Sequence, residues 1–219
     1  MSEQTAQPYF TRQIVVASGN RNKILELQTV GRRFGLELLS PQDLAEEGLL
    51  PPWPDVHETG QTYHDNALLK AQAFAAWAGL PALGDDSGLE VAALDNQPGV
   101  RSARYAGEGA SDKVRIQKLL HDFHRLAKHQ PRIDRRAYFR CHLVLAYPNG
   151  ALLTADAVLK GEVLDEPRGD MGFGYDPIIL IEELGHTLAE VDFQVTCEKG
   201  FRAKAAEQLF PQLLALNTA

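Results

Sequence analysis

The stretch Gln13-Ile14-Val15-Val16-Ala17-Ser18-Gly19-Asn20-Arg21-Asn22-Lys23 decides the fold class. Its first half is a β-branched apolar run, the pattern of a buried strand. A glycine-containing turn follows, and Ile24, Leu27, Val30 and Phe34 then recur at helical spacing. Strand, turn and helix in that order open an α/β domain. Such a turn aims backbone N–H groups and the positive end of the helix dipole at whatever lies above it, an arrangement suited to phosphate. Lys23 adds a mobile positive charge and Asn20 a side-chain donor. The turn lacks the glycine spacing of a P-loop or a Rossmann fingerprint, so it carries limited information alone.

Working outward, residues 36–39 read as a short strand, 41–46 as a short helix, and 49–55, with Pro51, Pro52 and Pro54, as a stiff loop. A long helix is predicted over 62–78, with Leu68, Ala71, Ala75 and Ala78 as its packed stripe. Tyr63, Asn66 and Lys70 share one face of it. Next comes Gly84-Asp85-Asp86-Ser87-Gly88-Leu89-Glu90, two adjacent acids between apolar runs. The flanking glycines read as a tight break between strands that projects the acids outward. Two readings are open: an exposed acidic turn, or a pair of carboxylates that hold a hard cation such as Mg²⁺. Helices rise about 1.5 Å and strands about 3.3 Å per residue. A strand from residue 80 that returns antiparallel to the helix therefore brings Asp85 and Asp86 level with Lys70 and Asn66.

A second strand is expected over 89–94, a turn at 95–99, and a helix capped by Ser111-Asp112 with Ile116, Leu119, Leu120 and Phe123 on one face. The basic connection 125–136 reads as a solvated loop. Strands over 137–147 and 151–163 flank Asn149-Gly150, a strong hairpin signal. The run Gly169 to Asp176, Gly-Asp-Met-Gly-Phe-Gly-Tyr-Asp, alternates glycine with aromatics and reads as a mobile loop able to lay a flat ring against a flat ligand. A strand is expected over 177–181 and one C-terminal helix over 197–216, with Pro211 inside it.

The 219 residues carry 22 Lys+Arg against 29 Asp+Glu, a net charge of −7, which argues against general nucleic-acid binding. The 2 cysteines, Cys141 and Cys197, lack metal-ligand spacing and read as free thiols in a reducing compartment. No run is long and apolar enough for a membrane span, and residues 1–10 read as a loose tail without a signal-peptide core. The expectation is a cytoplasmic α/β protein over 1–219, one domain with a long central mixed sheet flanked by helices.

Five motifs, in order along the chain, resemble the inosine triphosphate pyrophosphatase family: Ser18 to Lys23; Glu58-Thr59-Gly60 through Asn66 to Lys70-Ala71; Asp85 to Glu90; Pro98 to Gly107; and Gly172 to Pro177. The resemblance implies that family's sheet architecture, a homodimer and Mg²⁺-dependent hydrolysis of non-standard purine nucleoside triphosphates (ITP, dITP, XTP) to monophosphate and pyrophosphate. It implies roles as well. Ser18, Gly19, Asn20, Arg21, Asn22 and Lys23 would hold phosphates, with Lys70 as a further phosphate ligand, and Asn66 would be substrate-binding. Asp86 would be the catalytic base and a metal ligand, supported by Asp85, with Glu58 as the other metal ligand and Ser87 beside the substrate. Phe173 would stack on the base, and Gly174, Tyr175, Asp176, Phe201 and Arg202 would complete the pocket.

The chain departs from the family pattern at two places. His57 stands where the family often has an acid, and Gly200-Phe201-Arg202 stands where it usually has Ser-His-Arg, with Thr196 at the position of a lysine and Lys199 three residues on. The alternatives are therefore the same reaction with altered base preference, or a nucleotide-binding protein with weakened catalysis.

Overall fold

A computed structural model describes residues 12–46, 50–130 and 132–216. The tail expected over 1–10 lies outside them. Strand β1 (Gln13–Ala17) leads into α1 (Arg21–Arg33), β2 (Glu37–Leu39), α2 (Pro41–Glu46) and α3 (Tyr63–Ala78). Then come β3 (Ala82–Val91), β4 (Gln97–Pro98), α4 (Asp112–Ala127), β5 (Arg136–Ala146) and β6 (Leu152–Val163). The chain closes with β7 (Ile179–Ile181), β8 (His186–Thr187), α5 (Phe193–Lys199) and α6 (Phe201–Ala215). The eight strands form one mixed sheet in the order β2-β1-β3-β5-β6-β7-β8, with β4 paired to β3. Strand β1 is parallel to both β2 and β3, while β4 on β3, and β7 on β6 and β8, are antiparallel. This is the α/β fold with helix-flanked mixed sheet that the strand–turn–helix opening predicts.

Helix α3 has a start and a stop that the sequence dictates. Thr62 caps it: the Thr62 hydroxyl accepts from Asp65 N–H and the Asp65 carboxylate accepts from Thr62 N–H. Gly79 ends it in the left-handed region at φ 65°, where glycine costs least.

The described residues fall into two compact units. One comprises residues up to Asp86, His142–Asp156 and residues from Ala205 onward. Its core is Val15, Ala17, Ala67, Ala71, Phe74, Ala75, Ala82, Val144 and Ala146. Small residues dominate the helix side of that core, so α3 packs close to the strands. The other unit comprises Ser87–Cys141 and Ala157–Lys204. Its buried apolar residues include Leu89, Val91, Leu119, Phe123, Phe139, Leu159 and Ile178.

Three expectations are corrected. The acidic run is not a break that projects its carboxylates outward: β3 is one continuous strand, and Asp85 and Asp86 are only 1% and 5% exposed. Gly84 is in the strand because of a close approach rather than a turn. A Cβ there would lie 2.0 Å from the Ala67 carbonyl oxygen, so only glycine lets β3 lie directly on α3. The strand ends at Val91, and residues 92–94 form a 3-10 turn. The single C-terminal helix is two. Gly200 N–H bonds the Thr196 carbonyl and closes α5, and Pro211 sits inside α6, which continues through it. Among the described residues no helix is long and apolar enough to cross a membrane.

Candidate active site

In the first unit the predicted acids and bases gather on one ammonium. Lys70, on α3, donates to Glu58 Oε1 at 2.7 Å and to Asp86 Oδ1 at 3.3 Å. Asn66, one turn earlier on the same face, donates to Asp86 Oδ2 at 3.1 Å, and its own carbonyl oxygen accepts from Gly60 N–H at 2.8 Å. That carboxamide therefore fixes the Glu58-Thr59-Gly60 segment and Asp86 together. Lys23 reaches Asp85 Oδ1 at 3.3 Å. Successive strand residues point to opposite faces, so the adjacent acids take different lysines. Tyr63, the third residue of that α3 face, stacks on His142 with ring centroids 5.8 Å apart.

Three carboxylates thus share two ammonium groups, and the excess negative charge holds protons in place. Burial pushes the Asp86 carboxyl above the usual aspartate range and Glu58 adds to that, against the opposing pull of Lys70 and Lys23. For Lys70, burial acts downward, but Asp86, Glu58 and Asp85 outweigh it and the ammonium is raised above the usual lysine value.

The β1–α1 turn differs in one respect from its expected use. Asn20 Oδ1 caps α1, accepting from Asn22 N–H at 3.0 Å and Lys23 N–H at 3.3 Å, while Ser18 Oγ accepts from Asn20 N–H at 3.1 Å. Those three amides are engaged within the turn, and the Asn20 Nδ2 group and the Arg21 and Lys23 side chains are among the donors at this turn. A cavity of about 450 Å³ borders the same turn, lined by Ser18, Gly19, Arg21 and Trp53 among others.

In the second unit the predicted pocket residues form an aromatic and guanidinium stack. Arg202 is 1% exposed and donates to Ser87 Oγ at 3.0 Å. Its guanidinium lies 4.9 Å from the Phe201 ring centroid and 5.6 Å from that of Phe173. Phe201 in turn stacks on Phe139, centroids 5.0 Å apart and 7° from parallel. Thr196 is buried and Lys199 exposed. The 172–176 loop is closed by Asp176 Oδ2, which accepts from Phe173 N–H at 2.9 Å. Gly172 and Gly174 hold positive φ, and a Cβ at Gly172 would strike that same carboxylate. Tyr175 donates its hydroxyl to the Ser102 carbonyl at 2.9 Å, and burial pushes that phenol above its usual range.

Two residues here escaped the sequence reading. Phe139 was legible only as a strand residue. Asp112 was legible only as part of a helix cap, yet its Oδ2 accepts from Gly174 N–H at 2.8 Å.

Among the described residues no group of three or more His, Cys, Asp or Glu side chains is spaced to hold a metal. The donor set suits a cation that brings its other ligands with it. Mg²⁺ is usually held by one or two carboxylates, with phosphate oxygens and water completing the octahedron. Glu58 and Asp86, converging on one Nζ atom, are such a pair. His57 is exposed.

Fold and site together define a mixed-sheet α/β protein with a buried carboxylate–ammonium cluster. The chain belongs to the Ham1 family, whose sequence profile matches residues 14–212. It is 42% identical over 192 residues to the dITP/XTP pyrophosphatase of Geobacter sulfurreducens, covering 88% of this chain and 92% of that one. It is 42% identical over 196 residues to the dITP/XTP pyrophosphatase of Thermus thermophilus, covering 90% and 89%. Among solved structures, a HAM1 protein from Coxiella burnetii superposes with a TM-score of 0.78 at 39% identity, covering 94% of this chain and 99% of that one.

Proposed function

We propose that the protein is a nucleoside triphosphate pyrophosphatase that hydrolyses non-standard purine nucleotides (dITP, XTP and ITP) to the monophosphate and pyrophosphate, clearing them from the nucleotide pool. The observation that carries this reading is the Lys70 ammonium with Glu58 and Asp86 gathered on it, in a chain that belongs to the Ham1 family. Asp86 is the general base: a buried carboxylate with a raised pKa is better matched to taking a proton from water than an ordinary one. Asn66 orients it, and Lys70 and Lys23 neutralise phosphate oxygens. Bound Mg²⁺, held by Glu58 and Asp86, would supply further charge neutralisation on the phosphates. Phe173, Tyr175 and Arg202 form the base pocket, with Gly174 and Asp176 shaping the loop and Ser87 holding Arg202. The protein acts as a cytoplasmic homodimer built from a single catalytic domain over residues 1–219, without nucleic-acid or membrane partners.

Purified protein incubated with ITP, XTP, dITP, GTP and ATP plus Mg²⁺ should release pyrophosphate fastest from the first three. No turnover of any of them overturns the proposal.

One observation favours a variant of this reading. Phe201, where the family usually has histidine, is committed to a stack on Phe139 and offers the base no hydrogen bond. A broader base preference then follows, and a pyrimidine triphosphate turned over as fast as ITP would establish it.

A further inference from the structure

The loop that carries Phe173 has little reason to keep one shape by itself. Gly172 and Gly174, at φ 72° and 65°, flank the aromatic residue, and glycine loses more backbone freedom on ordering than any other residue. The bond from Phe173 N–H to Asp176 spans three residues and sets the turn. The tie to a distant element through the Gly174 amide is the 2.8 Å bond to Asp112, the first residue of α4, 62 positions away in sequence. A carboxylate accepting from an amide makes a stronger bond than a neutral acceptor.

Asp112 is itself held. Its other oxygen pairs with Arg115, one turn on, and Arg115 Nη1 donates to the carbonyls of Ala103 at 2.7 Å and Ala110 at 2.8 Å. Ser102 immediately precedes Ala103 in the 3-10 segment Gly99–Arg104, and its carbonyl accepts the Tyr175 hydroxyl. Two consecutive loop residues, Gly174 and Tyr175, are thus fixed to one scaffold, α4 and the turn before it. The residue immediately before them, Phe173, presents its ring to the Arg202 guanidinium.

We infer that Asp112 is a positioning residue: clamped by Arg115, its carboxylate fixes the Phe173–Gly174 peptide and so sets the Phe173 ring against Arg202, making helix α4 the support of the base-binding wall. This rests on the reading of Phe173 and Arg202 as that wall under the proposed function. Both Asp112 carboxylate oxygens are engaged by Gly174 and Arg115, so its removal acts on binding of the base through the loop while sparing the groups proposed to hold phosphate.

The test compares wild type with Asp112→Ala and Asp112→Asn. Losing one charge-assisted bond in Asp112→Ala should raise KM for ITP and the inhibition constant of IMP about tenfold, with kcat within about twofold. Inhibition by inorganic tripolyphosphate, which has no base, should be unchanged. Amide hydrogen exchange across residues 172–176 should quicken about tenfold. Asp112→Asn keeps an acceptor for Gly174 N–H and should recover most of the loss. Should Asp112→Ala fail to fold, Asp112→Ser, tolerated at a helix start but too short to reach Gly174, carries the same expectations.

Wild-type KM and IMP inhibition in Asp112→Ala overturn the inference. Equal weakening of IMP and tripolyphosphate overturns it too, because that pattern marks a general lesion. If the wild type neither hydrolyses ITP nor binds IMP, the proposed function fails instead, and the exchange comparison still reads whether Asp112 clamps the loop.

Discussion

The carboxylate–lysine cluster of the first unit and the aromatic–guanidinium stack of the second are built on opposite principles. The first takes Asn66 and Lys70 from a capped helix, Lys23 from the first turn of α1 and Asp85 and Asp86 from the middle of a strand, so most of its groups are set by regular backbone, and Glu58 comes from the irregular segment before α3. Burial and the neighbouring Glu58 then raise the Asp86 carboxyl. The second takes its rings from a loop with two positive-φ glycines, from the start of α6 and from Phe139 on β5, and its loop is ordered by hydrogen bonds from neighbouring elements. A site of fixed charges suits phosphate and proton chemistry; a clamped, largely apolar wall suits recognition of a flat ring. Substitutions in the first region should therefore act on kcat and those in the second on KM.

Asp86→Asn is the most severe way to probe that division. It removes the proposed base while keeping an acceptor for Asn66, and steady-state assays should show turnover lower by roughly a thousandfold. A variant with full activity would end the assignment of Asp86. Lys70→Met comes next. It leaves Glu58 and Asp86 partly buried without their shared cation, and urea unfolding should show a loss of about 3 kcal/mol. A kcat falling with stability is the expected outcome, whereas a rise in KM alone would blur the contrast. Gly84→Ala should cost about 2 kcal/mol by forcing β3 off α3. It tests whether the regular backbone really sets the first site, because activity should fall with the displaced Asp86. Phe173→Ala is the counterpart in the second region. Losing one base–aromatic stack should raise KM for ITP about tenfold, with tripolyphosphate inhibition untouched.

The smallest effect is one of pH. The fold favours the neutral form of Asp86, because burial raises its carboxyl. The stability this group contributes is fully present below the usual aspartate value and is lost as pH rises through its raised folded value. Asp86→Asn is neutral throughout and escapes that loss. Its thermal midpoint at pH 7 should match or exceed that of the wild type, and a midpoint several degrees lower would show the carboxylate to be stabilising after all. Lys70, also raised, contributes stability that is present below the usual lysine value and lost as pH rises through its own folded value.

Much of the first region was legible in the sequence. The helical spacing of Tyr63, Asn66 and Lys70 put them on one face, and the different rises of helix and strand were enough to bring Asp86 back to Lys70. The continuity of β3 was not legible. Aspartate and glycine are both depleted in strands, so Gly84-Asp85-Asp86-Ser87-Gly88 has the composition of a turn. The reason for glycine at 84 is the Ala67 carbonyl, a contact between segments that no local pattern encodes. The β1–α1 turn was recognised as a turn, but a motif does not reveal that Asn20 spends its oxygen on the helix cap. The second region was legible as a collection of residue types and little more. Its order comes from Asp112, Arg115 and Ser102, whose local sequence announces a helix start and a short turn.

The path of α6 has a consequence for how the chain matures on the ribosome. Leu209, Phe210 and Leu213 are buried in the first unit, where Phe210 meets Phe34 edge-on at 5.5 Å. Arg33 pairs there with Glu207, 174 positions later. The segment around Phe34 therefore waits, with its apolar face uncovered, until α6, whose Glu207 is 174 positions beyond Arg33, has been synthesised. A core closed over so long a separation is exposed to chaperones and proteases while the intervening chain is made, and a nonsense or frameshift lesion before Leu209 would leave that core incomplete.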